Sequence, residues 1–295
     1  MKSILILLLV ASIYASELLS TKEYTEYLKK HVTWEVVDYE ENVFKGWTVE
    51  DAQLFLGATL PDVTEYIQPI EIIPNMPTSL NWAGANCDHG PRNQASCGSC
   101  WAFATTGMLS DRCCMQGHDH GWLAPQELVS CDKKSNGCSG GWCTYALNYV
   151  KSVKGLVPES CFKYKGSNSI CPSKCEDGKA WSSSHVCNCP SYNSCTGVSG
   201  VKSCLQKGPA TLAFGVCRSF MNYKSGVYKC DCGSSYLGLH AVLGVGYSDS
   251  PSAHYHVRNS WGTSWGQSGY FDIGVNECGI SGTYPNGNVA CSSVA

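Results

Sequence analysis

Apolar and polar positions change their spacing several times along the 295-residue chain. Residues 4–10 form an unbroken apolar run after Lys2, followed by mostly small residues to Ser16. That run is too short to cross a bilayer and reads as a secretory signal cut after Ala15. Ser20 with Glu23 then forms a capping-box pattern, and Tyr24, Tyr27 and Leu28 share one face of the helix it would start. Thr48 with Asp51 repeats the signal before Val49, Ala52, Phe55 and Leu56, and Gly57 is placed to end that helix. Pro61, Pro69, Pro74 and Pro77 exclude a helix across the next stretch. From Ser99 to about Val153 the spacing is helical, over 100–111, 125–128 and 142–150. Beyond Ser199, alternation and aromatic residues predict strands at 210–216, 226–228, 241–247, 254–258 and 270–273. The pattern predicts an α+β body, with a helical lobe mainly over 95–195 and a β-rich lobe mainly over 200–295.

Composition sharpens the division. All twenty cysteines lie between Cys87 and Cys291, so a disulfide-bearing body follows a leader that has none. Residues 17–76 hold twelve Asp/Glu against four Lys/Arg, whereas residues 77–295 hold sixteen Lys/Arg against twelve Asp/Glu. An acidic leader beside a mildly basic body is the charge pattern of a dissociable, pH-sensitive inhibitory segment, and equally of a solvated acidic face. No basic run with interleaved aromatics points to nucleic acid. No second apolar run reaches transmembrane length, so a membrane partner is not expected.

The candidate chemistry centres on Gln94-Ala95-Ser96-Cys97-Gly98-Ser99-Cys100-Trp101. A cysteine opening a helix meets unpaired N–H groups and the positive end of the helix dipole, which favour thiolate. Gly238-Leu239-His240-Ala241 and Arg258-Asn259-Ser260-Trp261-Gly262 supply an imidazole and an amide 140 and 159 residues downstream. A C-G-[SA]-C-[WY] run with His and Asn ~130–150 residues later is the signature of a cysteine nucleophile with its base and orienting group. In those roles Cys100 attacks, His240 shuttles the proton, and Asn259 holds the ring while Trp261 shields the bond. Gln94 and the Cys100 amide would form an oxyanion hole. Two other readings fit parts of the pattern: a redox Cys97-Gly98-Ser99-Cys100 pair, and a cysteine-rich binding protein on an inactive scaffold. The chemistry requires neither metal nor cofactor.

These motifs resemble the papain family of cysteine peptidases, and within it the cathepsin B branch. Ser110-Asp111-Arg112, Phe220-Met221-Asn222-Tyr223-Lys224-Ser225-Gly226-Val227-Tyr228 and a leader ending in Phe55-Leu56-Gly57 carry the resemblance to that branch. The resemblance implies a papain-like two-lobed fold, with the active site in the cleft between a helical left domain and a β-barrel-like right domain. After the signal peptide read over 1–15, it implies an inhibitory propeptide over 16–75. That segment would lie through the cleft in the non-productive direction, ahead of a peptidase domain over 76–295. The mature protein would begin between about Gln68 and Pro77. By the same resemblance Gly140 and Gly141 form the substrate-binding strip, Cys143 and Ala241 line the S2 pocket, and Thr283 stands at its base. Trp265 contributes an aromatic surface on the primed side beside Trp261. The implied disulfides are Cys87–Cys114, Cys97–Cys138, Cys131–Cys171 and Cys161–Cys175. At least one thiol besides Cys100 is left over, from among Cys113, Cys143 and Cys278.

Two departures from the branch shape the forecast. Only six residues, none of them His, separate Tyr164 from Cys171, where cathepsin B enzymes carry an occluding loop with a His pair. His118 and His120 sit in another segment and read as surface residues. The expectation is therefore an endopeptidase with an open primed side, like the loop-less cathepsin B-like enzymes of some protists. Thr283 in place of a carboxylate favours apolar or aromatic P2 side chains. The expected partners are protein and peptide substrates and the chain's own propeptide, the enzyme being a monomer. The expected location is the secretory pathway, leading to a lysosome-like vacuole or vesicle, or to release.

Overall fold

The computed structural model describes residues 17–62, 65–231 and 235–295. The expected signal over 1–15 lies outside the described residues. The leader holds helix α1 (Lys22–His31), the two-residue strand β1 (Glu35–Val36) and helix α2 (Val49–Phe55). β2 (Ser79–Asn81) opens the body. The helical lobe follows, with α3 (Cys100–Met115), α4 (Pro125–Cys131) and α5 (Cys143–Val153), and closes on β3 (Ser191–Ser194) and α6 (Gly197–Gln206). The β-rich lobe carries β4 (Ala210–Cys217), β5 (Tyr223–Ser225), β6 (Val227–Tyr228), β7 (Tyr236–Ser248), β8 (His254–Arg258), β9 (Tyr270–Gly274) and β10 (Val289–Ser293). Among the described residues, no helix is long and apolar enough to cross a membrane.

The main sheet runs β3-β10-β4-β7-β8-β9-β6, with β2 added beside β7. Its pairings are antiparallel except for β6 with β9. β7 is its spine, setting His240 opposite Phe214 on β4 and Leu243 opposite Arg258 on β8. α3 packs on β7, α5, α4 and β4 at the seam of the lobes. It is buried nearly all round, which explains why its sequence shows no one-sided apolar stripe. Arg112 locks its last turn to the β-rich side. The guanidinium donates to the carbonyls of Pro209 (2.7 Å), Gly208 (2.9 Å), Cys291 (2.9 Å) and Cys204 (3.2 Å).

The leader wraps the body. β1 pairs antiparallel with β5, matching Val36 to Tyr223, so the leader completes a two-stranded sheet with the β-rich lobe. The Trp34 ring lies 5.2 Å from Tyr228 and 5.9 Å from Tyr223. Arg218 donates to the Leu19 carbonyl at 2.8 Å and lies over the Tyr24 ring. The cap of α1 differs from the expectation. Thr21, not Ser20, accepts from the Tyr24 amide, because the Ser20 hydroxyl is engaged by Asn222 at 2.6 Å. At α2 the full capping box between Thr48 and Asp51 forms.

Disulfides staple this frame: Cys87–Cys114, Cys97–Cys138, Cys131–Cys171, Cys161–Cys175, Cys113–Cys187, Cys189–Cys291, Cys195–Cys204 and Cys230–Cys278. Cys113 and Cys278 are thus bonded. Cys100 and Cys143 are the free thiols of the described residues.

Candidate active site

Cys100 is the first residue of α3, and its side chain is fully buried. Its Sγ accepts from the Ala241 amide at 3.5 Å, so the start of α3 abuts the middle of β7, where His240 sits. The His240 Nε2 is 2.8 Å from Asn259 Oδ1, which also accepts the Ser260 amide at 2.8 Å. An oxygen that already accepts one N–H takes the second from the ring, so Nε2 carries the proton and Nδ1 keeps the lone pair. Nδ1 is buried and has no hydrogen-bond partner. The Trp261 ring lies 4.7 Å from the imidazole, over the His240–Asn259 pair. A thiol and a free imidazole lone pair one residue from the amide that holds it can exchange a proton once the cleft opens.

Gln94 is fixed from several sides. Its amide donates to the Ser260 carbonyl (2.8 Å), and its Oε1 accepts from the Ser260 hydroxyl (2.7 Å). Its Nε2 is thereby turned toward the cleft, where it donates to the carbonyls of Phe55 (3.0 Å) and Cys97 (2.9 Å). A side-chain N–H that holds a carbonyl oxygen in the cleft can also hold the oxyanion of a tetrahedral intermediate. Ser260 escaped the sequence reading. The clue was its position between Asn259 and Trp261, but its partner lies 166 residues away.

The leader occupies the cleft. The Gly57 carbonyl accepts from Gly141 N–H, and Thr59 N–H donates to the Gly141 carbonyl, both at 3.0 Å, as a parallel bridge between Ala58 and Gly141. Gly140 has φ +119°, and a Cβ there would overlap the Thr59 hydroxyl. On Gly141 a Cβ would stand 2.6 Å from Trp101. Bare backbone is therefore required on this strip. The Gly57 amide faces the Cys100 sulfur. Phe44 meets Trp261 edge-on and Phe55 meets it at a tilt, each with ring centres 5.3 Å apart, closing the other end of the cleft.

Burial under the leader keeps both reacting groups neutral. It pushes the Cys100 thiol up to about 11, although amides from Ala241 and Gly57 pull the other way. It pulls His240 down to about 4 against the hydrogen bond that its ring donates to Asn259. A thiolate–imidazolium pair is disfavoured on both sides while the leader is seated.

The structure brings together Cys100, His240, Asn259, Gln94, Gly140, Gly141, Ala241 and Trp261, and places three expected residues elsewhere. Trp265 does not offer a primed-side surface. It is 3% exposed and packs on Trp261, Phe220, Tyr223 and Phe271. Cys143 is fully buried, its thiol facing Trp101 and the hydroxyls of Thr105 and Thr211 rather than a pocket wall. Thr283 is exposed on the loop after Cys278, against Gly279. His118 and His120 are exposed. His254, His256 and Asp272 bring potential ligand atoms within 4.8 Å of one another, but His256 Nδ1 already bonds Asp272 at 2.6 Å. The sulfurs of Cys217, Cys230 and Cys278 also cluster, and all three are disulfide-bonded.

Comparison with known proteins agrees with this geometry. The sequence pattern of the papain family cysteine proteases matches residues 76–285. The chain is 32% identical over 265 residues to cathepsin B-like CP2 of Giardia intestinalis, covering 79% of this chain and 86% of that protein. It is also 32% identical to digestive cysteine proteinase 2 of Homarus americanus over 280 residues, 88% of this chain and 83% of that one. Among solved structures, procathepsin B S9 from Trypanosoma congolense superposes with a TM-score of 0.81 at 24% identity. The match covers 94% of this chain and 99% of that one, a likeness of fold that extends through the leader.

Proposed function

The chain belongs to the papain family of cysteine proteases, in its cathepsin B-like branch, and as a zymogen of that family we propose that it hydrolyses peptide bonds within proteins through a Cys100 thioester. The observation that carries this reading is the convergence of Cys100, His240, Asn259 and Gln94 beneath a leader whose Gly57 amide lies on the thiol. Cys100 attacks the scissile carbonyl carbon, and the carbonyl oxygen, now an oxyanion, is held by Gln94 Nε2 and the Cys100 amide. His240 Nδ1, having taken the thiol proton as the sulfur attacks, delivers it to the departing amine, leaving the acyl group on sulfur. A water then gives its proton to His240 and its oxygen to the thioester, and the carboxylic acid leaves as the thiol is restored.

The finer features are part of the same proposal. The six residues between Tyr164 and Cys171 leave the primed side open, in keeping with endopeptidase cleavage. Residues 16–75 are the propeptide and 76–295 the peptidase. The cut between Gln68 and Pro77 is supported by exposed Ile72 and Asn75 downstream of buried Ile70. Acidification releases the leader, and the mature enzyme works in a lysosome-like vesicle or after secretion. The test is a Cys100→Ala zymogen held at low pH. It should persist at full length while the parent chain shortens, and normal self-processing of the variant would refute an intrinsic role for the thiol.

A further inference from the structure

Tyr164 stands outside the cleft chemistry, yet it touches both sides of it. Its hydroxyl donates to the Gln94 carbonyl at 2.7 Å, and the Ser99 hydroxyl lies 2.6 Å from the tyrosine oxygen. A phenol has one proton, so with that proton on Gln94 the Ser99 hydroxyl is the donor to Tyr164. Gln94 carries one oxyanion donor on its side chain, and Ser99 immediately precedes the residue that carries the other on its backbone. Ser99 is also the N-cap of α3, where a serine oxygen ordinarily accepts a first-turn amide. It makes no such bond here. Its side chain is drawn to Tyr164, and the first amides of α3 are left for the sulfur and the oxyanion.

The tyrosine is itself held. Its amide donates to Glu159 Oε1 (2.8 Å), which pairs with Arg92 (2.7 Å). The Arg92 guanidinium lies over Phe103, and the Phe103 ring meets Tyr164 edge-on at 4.7 Å. The Ser260 contacts fix Gln94 from the β-rich lobe, and Tyr164 fixes it from the helical lobe. We infer that Tyr164 is a positioning residue for the oxyanion hole: one hydroxyl bridges Gln94 and Ser99 and so sets the distance between Gln94 Nε2 and the Cys100 amide. The inference rests on the proposal that those two groups form the hole.

The experiment compares Tyr164→Phe, Ser99→Ala and Gln94→Ala with the parent in the activated enzyme. Each is measured for kcat and KM on a fluorogenic peptide, for affinity to a peptidyl aldehyde, and for the rate of Cys100 alkylation by iodoacetamide. The hemithioacetal oxygen formed from the aldehyde occupies the oxyanion position, whereas alkylation forms no oxyanion. Tyr164→Phe keeps the ring against Phe103 and should lower kcat about tenfold, because misplacing a donor forfeits part of the ~10²–10³ that removing one costs. KM should stay within about twofold, since the effect is confined to the transition state. Aldehyde affinity should fall in step with kcat, alkylation should be unchanged, and Ser99→Ala should repeat the signature from the other end of the bridge. Unchanged kcat in Tyr164→Phe, or alkylation slowed in parallel with kcat, would overturn the inference. Should Gln94→Ala itself keep full turnover, the oxyanion-hole reading fails and this inference with it. A large loss in Gln94→Ala beside an unaffected Tyr164→Phe sinks the positioning role alone.

Discussion

Gly57 is the residue on which latency turns. A Cβ at this position would overlap the Gly98 carbonyl, a backbone atom that cannot move aside. Gly57→Ala should therefore unseat the leader over the nucleophile. The expected result is a full-length protein with measurable turnover at neutral pH, where the parent has almost none, and equal latency of the two would contradict it. The reacting pair gives a second prediction. With the Cys100 thiol held up to about 11, iodoacetamide should label the zymogen slowly until the pH approaches that value. After leader removal the rate profile should shift by several units toward acid, because water and imidazolium again stabilise the thiolate. Cys100, His240, Asn259 and Gln94 were legible in the sequence because each sits in a short motif whose chemistry dictates its residue type. Ser260 and Tyr164 were not. A serine or tyrosine is polar for many reasons, and the Gln94 they hold is 166 and 70 positions away.

At the scale of elements, periodicity found what is amphipathic or alternating and missed what is built by pairing. The central helix begins where the pattern put it and β8 matches the expected 254–258, with Asn259 just beyond its end, but β7 starts at Tyr236, five residues before the expected strand, and so takes in His240. α3 runs on to Met115, past the expected end at Asp111, because Arg112 and Cys113, polar or ambiguous by composition, are buried within the frame. α6 contains Gly197 and Gly200, which weaken any helical signal, and β1 is two residues long and exists only against β5. The aromatic primed-side surface expected of Trp265 failed for a similar reason. Sequence marks an aromatic residue but not the Phe220, Tyr223 and Phe271 rings that enclose it. The β8–α3 junction offers a stability test. Arg258 is buried between Asp88 and Asp111, pairing Asp111 at 3.0 Å. Arg258→Met removes the cation and leaves two buried carboxylates facing each other, a loss of about 3–5 kcal/mol in urea unfolding. A change below about 1 kcal/mol would show that these charges are solvated. Burial raises the Asp88 pKa, but the Tyr270 hydroxyl, the Gly84 amide, Arg258 and the Gly90 amide outweigh it and hold the carboxyl below its usual value. Its contribution is therefore present above about pH 3.9 and is lost as pH falls further.

Across the whole molecule, the charge contrast between leader and body proves to be a weak part of their grip. Glu40 pairs with Lys22 and Lys45, and Asp38 with Lys29, all within the leader; among the ion pairs of the described residues, Glu17–Arg218 crosses to the body. The other crossing contacts are mainly free of leader charge: aromatic packing of Trp34, Phe44 and Phe55, pairing of β1 and of the Gly57–Thr59 bridge, and neutral hydrogen bonds such as Ser20 and Asn42 to Asn222. Protonating leader carboxylates thus loosens the leader's own fold more than its interface, and His240 supplies the more direct proton link. A solvated imidazole takes its proton near pH 6.5, whereas under the leader it does so only near pH 4. Between those values the covered state holds fewer protons, so the leader's hold is full above about pH 6.5 and weakens as pH falls toward 4. In a Cys100→Ala zymogen, hydrogen-exchange protection of the Ala58 and Thr59 amides should fall through that window, and His240→Gln should flatten the profile above pH 4.5, before most carboxylates titrate. Latency and turnover both depend on the Cys100 nucleophile, and the most direct measurement treats the full-length protein with an irreversible peptidyl epoxide before and after acid activation and maps the label by mass. The prediction is no label before activation, then one label per chain on Cys100 with complete loss of turnover; label on another cysteine, or turnover that survives labelling of Cys100, would contradict it.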